Sequence, residues 1–197
     1  MIGIVGGTGD FGRGLAERLR RLGEEVVLGS RTPRGEFVSN PEACARCDIV
    51  FLSVPPRGVS RMAELLADDL AARIVVSVAS PVVFESGRPV ARPGELSLAE
   101  QTQRNAPAAR VVAGFHTVSA KALGDPHRAL DEDVLLCGDD AEAKETVAAL
   151  AERLVEGRAV DCGPLEVARW LEPLTAVLLN VNRKYKAQSG VRVTGLT

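Results

Sequence analysis

The sequence predicts an α/β fold: a doubly wound parallel sheet of Rossmann type, with a C-terminal helical segment. Three observations predict it. Short apolar runs alternate with stretches of helical periodicity along most of the chain. The pattern Gly7-Thr8-Gly9-Asp10-Phe11-Gly12 stands between the first such run and the first helical stretch. Residues 163–186 then carry one long helical pattern after the last strand-like run.

The elements follow in order. Residues 2–5 form an apolar strand that stops at Gly6-Gly7. Leu15, Leu19 and Leu22 lie at helical spacing, with Gly23 as a stop. Residues 25–29 read as the second strand, and Asn40-Pro41 as a helix start in which Asn caps and Pro takes the first position. The continuous apolar run 48–54 reads as a strand buried on both faces. Met62, Leu65, Leu66 and Leu70 mark the next helix. Strands are expected at 73–78, 110–115, 133–137 and 158–161, with helices near 97–105 and 140–155. Asp139 with Glu142 is expected to make a capping box for the last of these. Residues 81–94, with three Pro and two Gly, read as a loop or irregular hairpin. The run LEPLTAVLLNVN is too apolar for a solvated helix and should pack on the sheet, a partner subunit, or both.

Composition narrows the function. The chain has 197 residues, 46% of them hydrophobic and 25% charged, with 24 Lys+Arg against 26 Asp+Glu. Plentiful apolar residues and a small net charge exclude disorder as the main state. No basic excess exists to neutralise phosphates, so no nucleic-acid partner is expected. No apolar run approaches the ~20 residues of a spanning helix, and the N-terminus lacks the basic flank of an export signal. A cytoplasmic protein off the membrane is therefore expected, with Cys44, Cys47, Cys137 and Cys162 reduced. Two units are expected: a nucleotide-binding domain over residues 1–162, and a helical segment over 163–197 that packs on it or on a partner subunit.

The glycine turn points to a dinucleotide. Gly7 permits the tight turn, Gly9 lets a pyrophosphate approach the backbone, and Gly12 lets helix and strand pack closely. The N–H groups of Asp10, Phe11 and Gly12 open the helix and face the phosphates. NAD binders place an acid at the tip of the second strand. Here the strand ends Gly29-Ser30-Arg31-Thr32-Pro33-Arg34, with no acid at its tip. Ser30 and Arg31 can donate to a 2′-phosphate, so NADP is preferred over NAD.

Ligands of open α/β sheets lie beyond the carboxyl ends of the strands. Four loops are implied: Ser53-Val54-Pro55-Pro56, Ala79-Ser80-Pro81, the segment from His116 to Ala120, and the chain from Gly138 onward. His116 reads either as a hydrogen-bond donor to nicotinamide or acceptor, or as a packed histidine satisfied by backbone. Cys44-Ala45-Arg46-Cys47 has no second pair at metal spacing and precedes a strand, so neither a metal nor a redox centre is expected.

Taken together, these segments resemble the F420-dependent NADP oxidoreductases, reductases of the deazaflavin coenzyme F420. The residues that carry the resemblance are GGTGDFGRGLA at 6–16, GSR at 29–31, DIVFLSVP at 48–55, FHTVSA at 115–120, CGDDAEAK at 137–144 and GPLEVARWLEPLTAVLLNVN at 163–182. The resemblance implies hydride transfer between NADP(H) and coenzyme F420 by a homodimer or higher homo-oligomer. It implies that Thr8 to Phe11 hold the pyrophosphate and that Ser30-Arg31 hold the 2′-phosphate. Val54, Pro56, Ser80 and Ala120 would line the NADP site. His116, Val118, Arg169 and Thr175 would border the two rings, with Arg169 or Thr175 stabilising charge at the pyrimidine end of the deazaflavin. One departure stands out. Only residues 32–39 separate Arg31 from Asn40, where the family has a helix-length insertion. A basic residue of that insertion is replaced by Gly35, and Arg34 is the candidate substitute. Two other readings remain at this point: an NADPH-dependent reductase of a small imine or carbonyl, with His116 as proton donor, and a non-catalytic NADP-binding module.

Overall fold

The computed structural model describes residues 1–196. Ten strands and seven α-helices follow in the order β1 (Ile2–Val5), α1 (Asp10–Arg21), β2 (Val26–Ser30), β3 (Phe37–Ser39), α2 (Asn40–Ala45), β4 (Ile49–Leu52), α3 (Val59–Leu65), β5 (Ile74–Ser77), β6 (Val82–Glu85), β7 (Arg88–Ala91), α4 (Leu98–Asn105), β8 (Arg110–Gly114), α5 (Ala120–Leu123), β9 (Val134–Gly138), α6 (Ala141–Leu154), β10 (Ala159–Asp161) and α7 (Ala168–Tyr185). Eight strands form one sheet in the order β10-β9-β8-β5-β4-β1-β2-β3, and β6 and β7 form a separate antiparallel hairpin. The doubly wound Rossmann-type arrangement is as expected. Residues alternate between two cores. Ile2, Ile4, Phe51, Val76 and Leu136 face Leu15 and Leu19 of α1 and Val147 of α6. Val5, Val50, Leu52, Val75 and Ala113 face Leu66, Leu98 and Leu171 on the other side.

Uniformly parallel strands are not found. β8 and β9 pair antiparallel, while β9 and β10 pair parallel to each other, so the last two strands run against the rest. The cause is the connection after β8. A parallel neighbour needs a crossover long enough to return the chain across the sheet. The chain between Gly114 and Val134 is long enough, but its helix, α5, has four residues and at 1.5 Å per residue does not carry the chain back along a five-residue strand. The chain stays at the cleft end instead. Gly138, the last residue of β9, therefore lies away from the carboxyl ends of the parallel strands, and the fourth expected loop is not at the site.

Two expected caps shift by one residue. Ser39 caps α2 by accepting from the Glu42 N–H at 3.3 Å, with Pro41 in the first turn. Asp140, not Asp139, caps α6 through the Ala143 N–H at 2.8 Å. Asp139 instead accepts from the Leu165 N–H at 2.9 Å and so positions the approach to α7. Residues 81–94 form the β6–β7 hairpin, which packs against α7 through contacts such as the Asn180 Nδ2 donating to the Pro89 carbonyl at 2.9 Å. Cys44 and Cys47 are fully buried free thiols in the core, and burial pushes Cys44 up to about 12. Among the described residues no helix is long and apolar enough to cross a membrane.

Candidate functional site

A cleft of about 1150 Å³ opens at the carboxyl ends of β1, β4, β5 and β8. That exceeds the volume of roughly 300–1,000 Å³ usual for a single small-ligand pocket. The first face of α1 (Gly9, Asp10, Phe11) forms one wall. Val54 and Pro56 follow β4, Ser80 follows β5, and His116, Val118 and Ala120 follow β8. Thr175, Leu178 and Asn182 of α7 close the opposite side. The sequence motifs thus converge on one place.

The glycine turn divides its work differently from the sequence expectation. The left-handed residue is Gly6, at φ +80°, and a side chain there would collide with the Ser53 carbonyl. Gly7 is needed for space, since a Cβ would sit 2.9 Å from Leu28. At Gly12 a Cβ would come within 3.0 Å of the Gly7 Cα, which is the close helix–strand packing expected there. Gly9 is open: a Cβ would meet only the Gly6 carbonyl, at 3.7 Å, and would stand in the cleft. No side chain caps α1, so its first N–H groups are left for a ligand. These features fit a pyrophosphate.

Three strand-end and helix groups are wired together deeper in the cleft. The Thr175 hydroxyl donates to the His116 carbonyl at 2.7 Å, and its oxygen lies 2.6 Å from the Ser80 Oγ. A carbonyl can only accept, so Thr175 spends its proton there and Ser80 donates to Thr175. The Ser80 oxygen keeps lone pairs for a ligand N–H. His116 lines the cleft. Both its nitrogens are buried without a hydrogen-bond partner, and the residue is 5% exposed. Burial lowers it to about 4, with only the nearby Ser77 carbonyl opposing, so the ring is neutral at neutral pH. What His116 contributes to the wiring is its main-chain oxygen.

Ser30 ends β2 in a tight turn, its hydroxyl lying 3.2 Å from the Thr32 carbonyl and accepting from the Thr32 N–H at 3.1 Å. Arg31 and Arg34 extend into solvent with no ion pair among the described residues. These three lie beside the cleft rather than in its lining. Sequence reasoning missed one wall altogether. After α7 the chain turns at Lys186 (φ 52°), and Ala187, Gln188 and Ser189 line the cleft. Ser189 is held by the Asn182 Oδ1, at 2.6 Å from its N–H. Farther on, the fully buried Asp133 carboxylate accepts from the Val193 N–H at 2.7 Å. Nothing in hydrophobic periodicity signals such a return, because it is made by main-chain bonds to distant carboxylates.

Comparison with known proteins adds the decisive observation. The chain is 34% identical over 220 residues to the F420-dependent NADP reductase of Methanocaldococcus jannaschii, covering 99% of this chain and 98% of the relative. It is 33% identical to that of Methanothermobacter thermautotrophicus, covering 99% and 95%. The chain belongs to the F420-dependent NADP reductase family. The family profile described as "NADP oxidoreductase coenzyme F420-dependent" matches residues 1–81. A crystal structure of a putative F420-dependent NADP reductase from Arthrobacter sp. FB24 superimposes with a TM-score of 0.87 at 29% identity, covering 98% of this chain and 99% of that one.

Within this reductase family frame, one implied position moves. Arg169 was expected at the rings, and it does not line the cleft. Its Nη2 donates to Glu100 at 2.7 Å, and its Nε to the Glu166 carbonyl at 3.1 Å. Glu100 in turn accepts from the Ser97 N–H and completes the capping box of α4. Arg169 leaves the first turn of α7 on the side facing α4, whereas Thr175 leaves it on the side facing β5 and β8. The residue paired with Arg169 is Glu100, and Glu172, one turn on, is turned inward to other partners.

Proposed function

We propose that this chain transfers a hydride between NADP(H) and coenzyme F420, with both rings held in the cleft below the glycine turn. The observation that carries the reading is the full-length match to F420-dependent NADP reductases, joined to a cleft larger than one small ligand needs. In this reading residues 1–162 hold the nucleotide, and residues 163–197 supply the α7 wall.

Each chain element has a part. The free N–H groups of α1 take the pyrophosphate, flanked by Thr8, Asp10 and Phe11. Ser30, Arg31 and Arg34 surround the 2′-phosphate. Val54 and Pro56 pack against the adenosine side. Ser80, its proton committed to Thr175, accepts from the nicotinamide carboxamide. Val118 and Ala120 form the floor beneath the rings. When bound, the two rings supply the hydride chemistry, so no protein nucleophile is required. The protein's task is to hold them face to face and to keep water out. The imine or carbonyl alternative needs a proton donor at the cleft, and burial holds the His116 ring neutral at neutral pH, which makes it a poor general acid.

Thr175→Val tests the wiring. It removes the bond to the His116 carbonyl and the acceptor for Ser80. With a net worth of about 1–2 kcal/mol, kcat/KM should fall roughly 5- to 30-fold with the fold unchanged. Hydride-transfer rates equal to wild type would reject the assignment.

The apolar outer face of α7 supports a homodimer. Trp170 and Val177, one heptad apart, are 72% and 56% exposed, and Tyr185 is 67% exposed near the end of the same helix. Such a stripe is self-complementary across a two-fold axis. Light scattering should give a dimer mass for wild type and a monomer for Val177→Glu. A monomeric wild type would contradict this.

The direct test of the reaction mixes the protein with NADPH and oxidised F420. Loss of the deazaflavin absorbance in step with NADPH is expected. Binding of both without turnover would leave only a nucleotide-binding module.

A further inference from the structure

We propose that Arg13 is a third guanidinium on the ribose 2′-phosphate, and that it sets the preference for a phosphorylated adenosine ribose together with Arg31 and Arg34. The proposal rests on the NADP reading above and extends it to a residue outside the glycine pattern and the strand tip.

The four arginines of α1 are used differently. Arg20 pairs with Glu36 at 2.9 Å and Arg21 with Glu17 at 3.1 Å. Arg18 is spent on main-chain carbonyls, those of Leu123, Ala122, Asp125 and Arg128, at 2.6–3.0 Å. Arg13 donates only its Nε, to the Thr8 carbonyl at 3.0 Å, and neither Nη has a partner among the described residues. Its guanidinium lies over the Phe37 ring, 5.9 Å from the centroid. The side chain is thus fixed from two sides while its forked end is left free.

The two fixing points both connect to β2 within two residues of Ser30. Gly7, next to Thr8, donates to the Gly29 carbonyl at 3.1 Å, and Gly29 precedes Ser30. Phe37 pairs with Leu28 in the β2–β3 register, two residues before Ser30. The short loop 31–36 runs between these points and carries Arg31 and Arg34. Its only carboxylate, Glu36, is taken by Arg20. Three exposed guanidiniums therefore stand on segments that meet at the end of β2, with no carboxylate paired to any of them among the described residues, in a chain whose net charge is -2. A dianionic phosphate is the group that such forked donors recognise in a fixed geometry. The edge strand β3 is what makes this arrangement: the short connection brings Phe37 under Arg13.

The test uses 2′,5′-ADP and 5′-AMP, which differ only by the 2′-phosphate, as probes, with calorimetric affinities for wild type, Arg13→Gln and Phe37→Leu. Arg13 is exposed, so its variant should keep the wild-type melting temperature. Arg13→Gln should bind 2′,5′-ADP about 10-fold more weakly and 5′-AMP within about twofold of wild type. Phe37→Leu, which removes only the platform, should lose a smaller part of the same selectivity. The slope of log affinity against log salt for 2′,5′-ADP should also flatten in Arg13→Gln. An equal loss for both probes would put Arg13 on the shared 5′-phosphate and overturn the proposal, as would no loss for either. A wild type that does not distinguish the probes would instead overturn the NADP reading and this proposal with it.

Discussion

Arg31→Ala is expected to bind NADPH about 10- to 100-fold more weakly while leaving NADH affinity unchanged. Charge sets the size of the effect. A hydrogen bond between an ion pair is worth roughly 1.5–3 kcal/mol, and the 2′-phosphate is the only group by which the two nucleotides differ. Arg31 follows Ser30 directly, has no carboxylate partner among the described residues, and stands where NAD binders carry an acid. The loss should be greatest at low ionic strength and shrink as salt screens the exposed site. Titration of both nucleotides against the variant checks it. Equal affinity of wild type for NADPH and NADH would remove the basis of the assignment.

Glu172→Ala should cost about 2–4 kcal/mol of stability at pH 6, lowering the melting temperature by roughly 5–12 °C. Glu172 lies on α7 yet is only 1% exposed. Its two oxygens accept from the Leu98 and Ala99 N–H groups, both at 2.9 Å, at the start of α4. It therefore docks α7 on the N-terminus of another helix, where its oxygens meet N–H groups that have no partner within that helix. Alanine leaves two buried N–H groups unmet. Burial raises the carboxyl to about 7, against the pull of those N–H groups. The folded value lies above the unfolded one, so the protein takes up a proton on folding. This contribution is complete below the unfolded value of about 4.5 and is lost as pH rises through 7. The stability gap between wild type and variant should narrow from pH 5 to pH 8. A constant gap would show that Glu172 acts by packing alone. Trp170, the sole tryptophan and on the same helix, gives a fluorescence signal for its undocking.

What the sequence makes legible is what short-range physics decides. β1, β4 and β5 are buried on both faces, so they appear as unbroken apolar runs and fall within a residue or two of expectation. The glycine turn is legible because backbone sterics allow few alternatives there. β3 was missed: its three residues are all half-buried at the sheet edge, and they show no alternation long enough to notice. The reversal at β9 was missed because strand direction depends on the path of the preceding connection, not on the strand's own residues. Arg169 and Thr175 sit in one block of sequence, and only the rotation of α7 separates them, Thr175 toward the cleft and Arg169 toward α4. The Ala187–Ser189 wall is held by Asn182, and the chain beyond it by Val193, whose N–H donates to Asp133 and whose carbonyl accepts from Arg158, bonds that reach 60 and 35 residues back along the chain.

Ring-to-ring transfer inside the cleft is tested most directly by isotope. NADPH carrying deuterium at one C4 face is mixed with enzyme and oxidised F420 in a single turnover. The deuterium should arrive at C5 of the deazaflavin in full, and from one face only. Deuterium lost to solvent, or reduction that proceeds equally from both faces, would contradict a cleft that stacks the two rings.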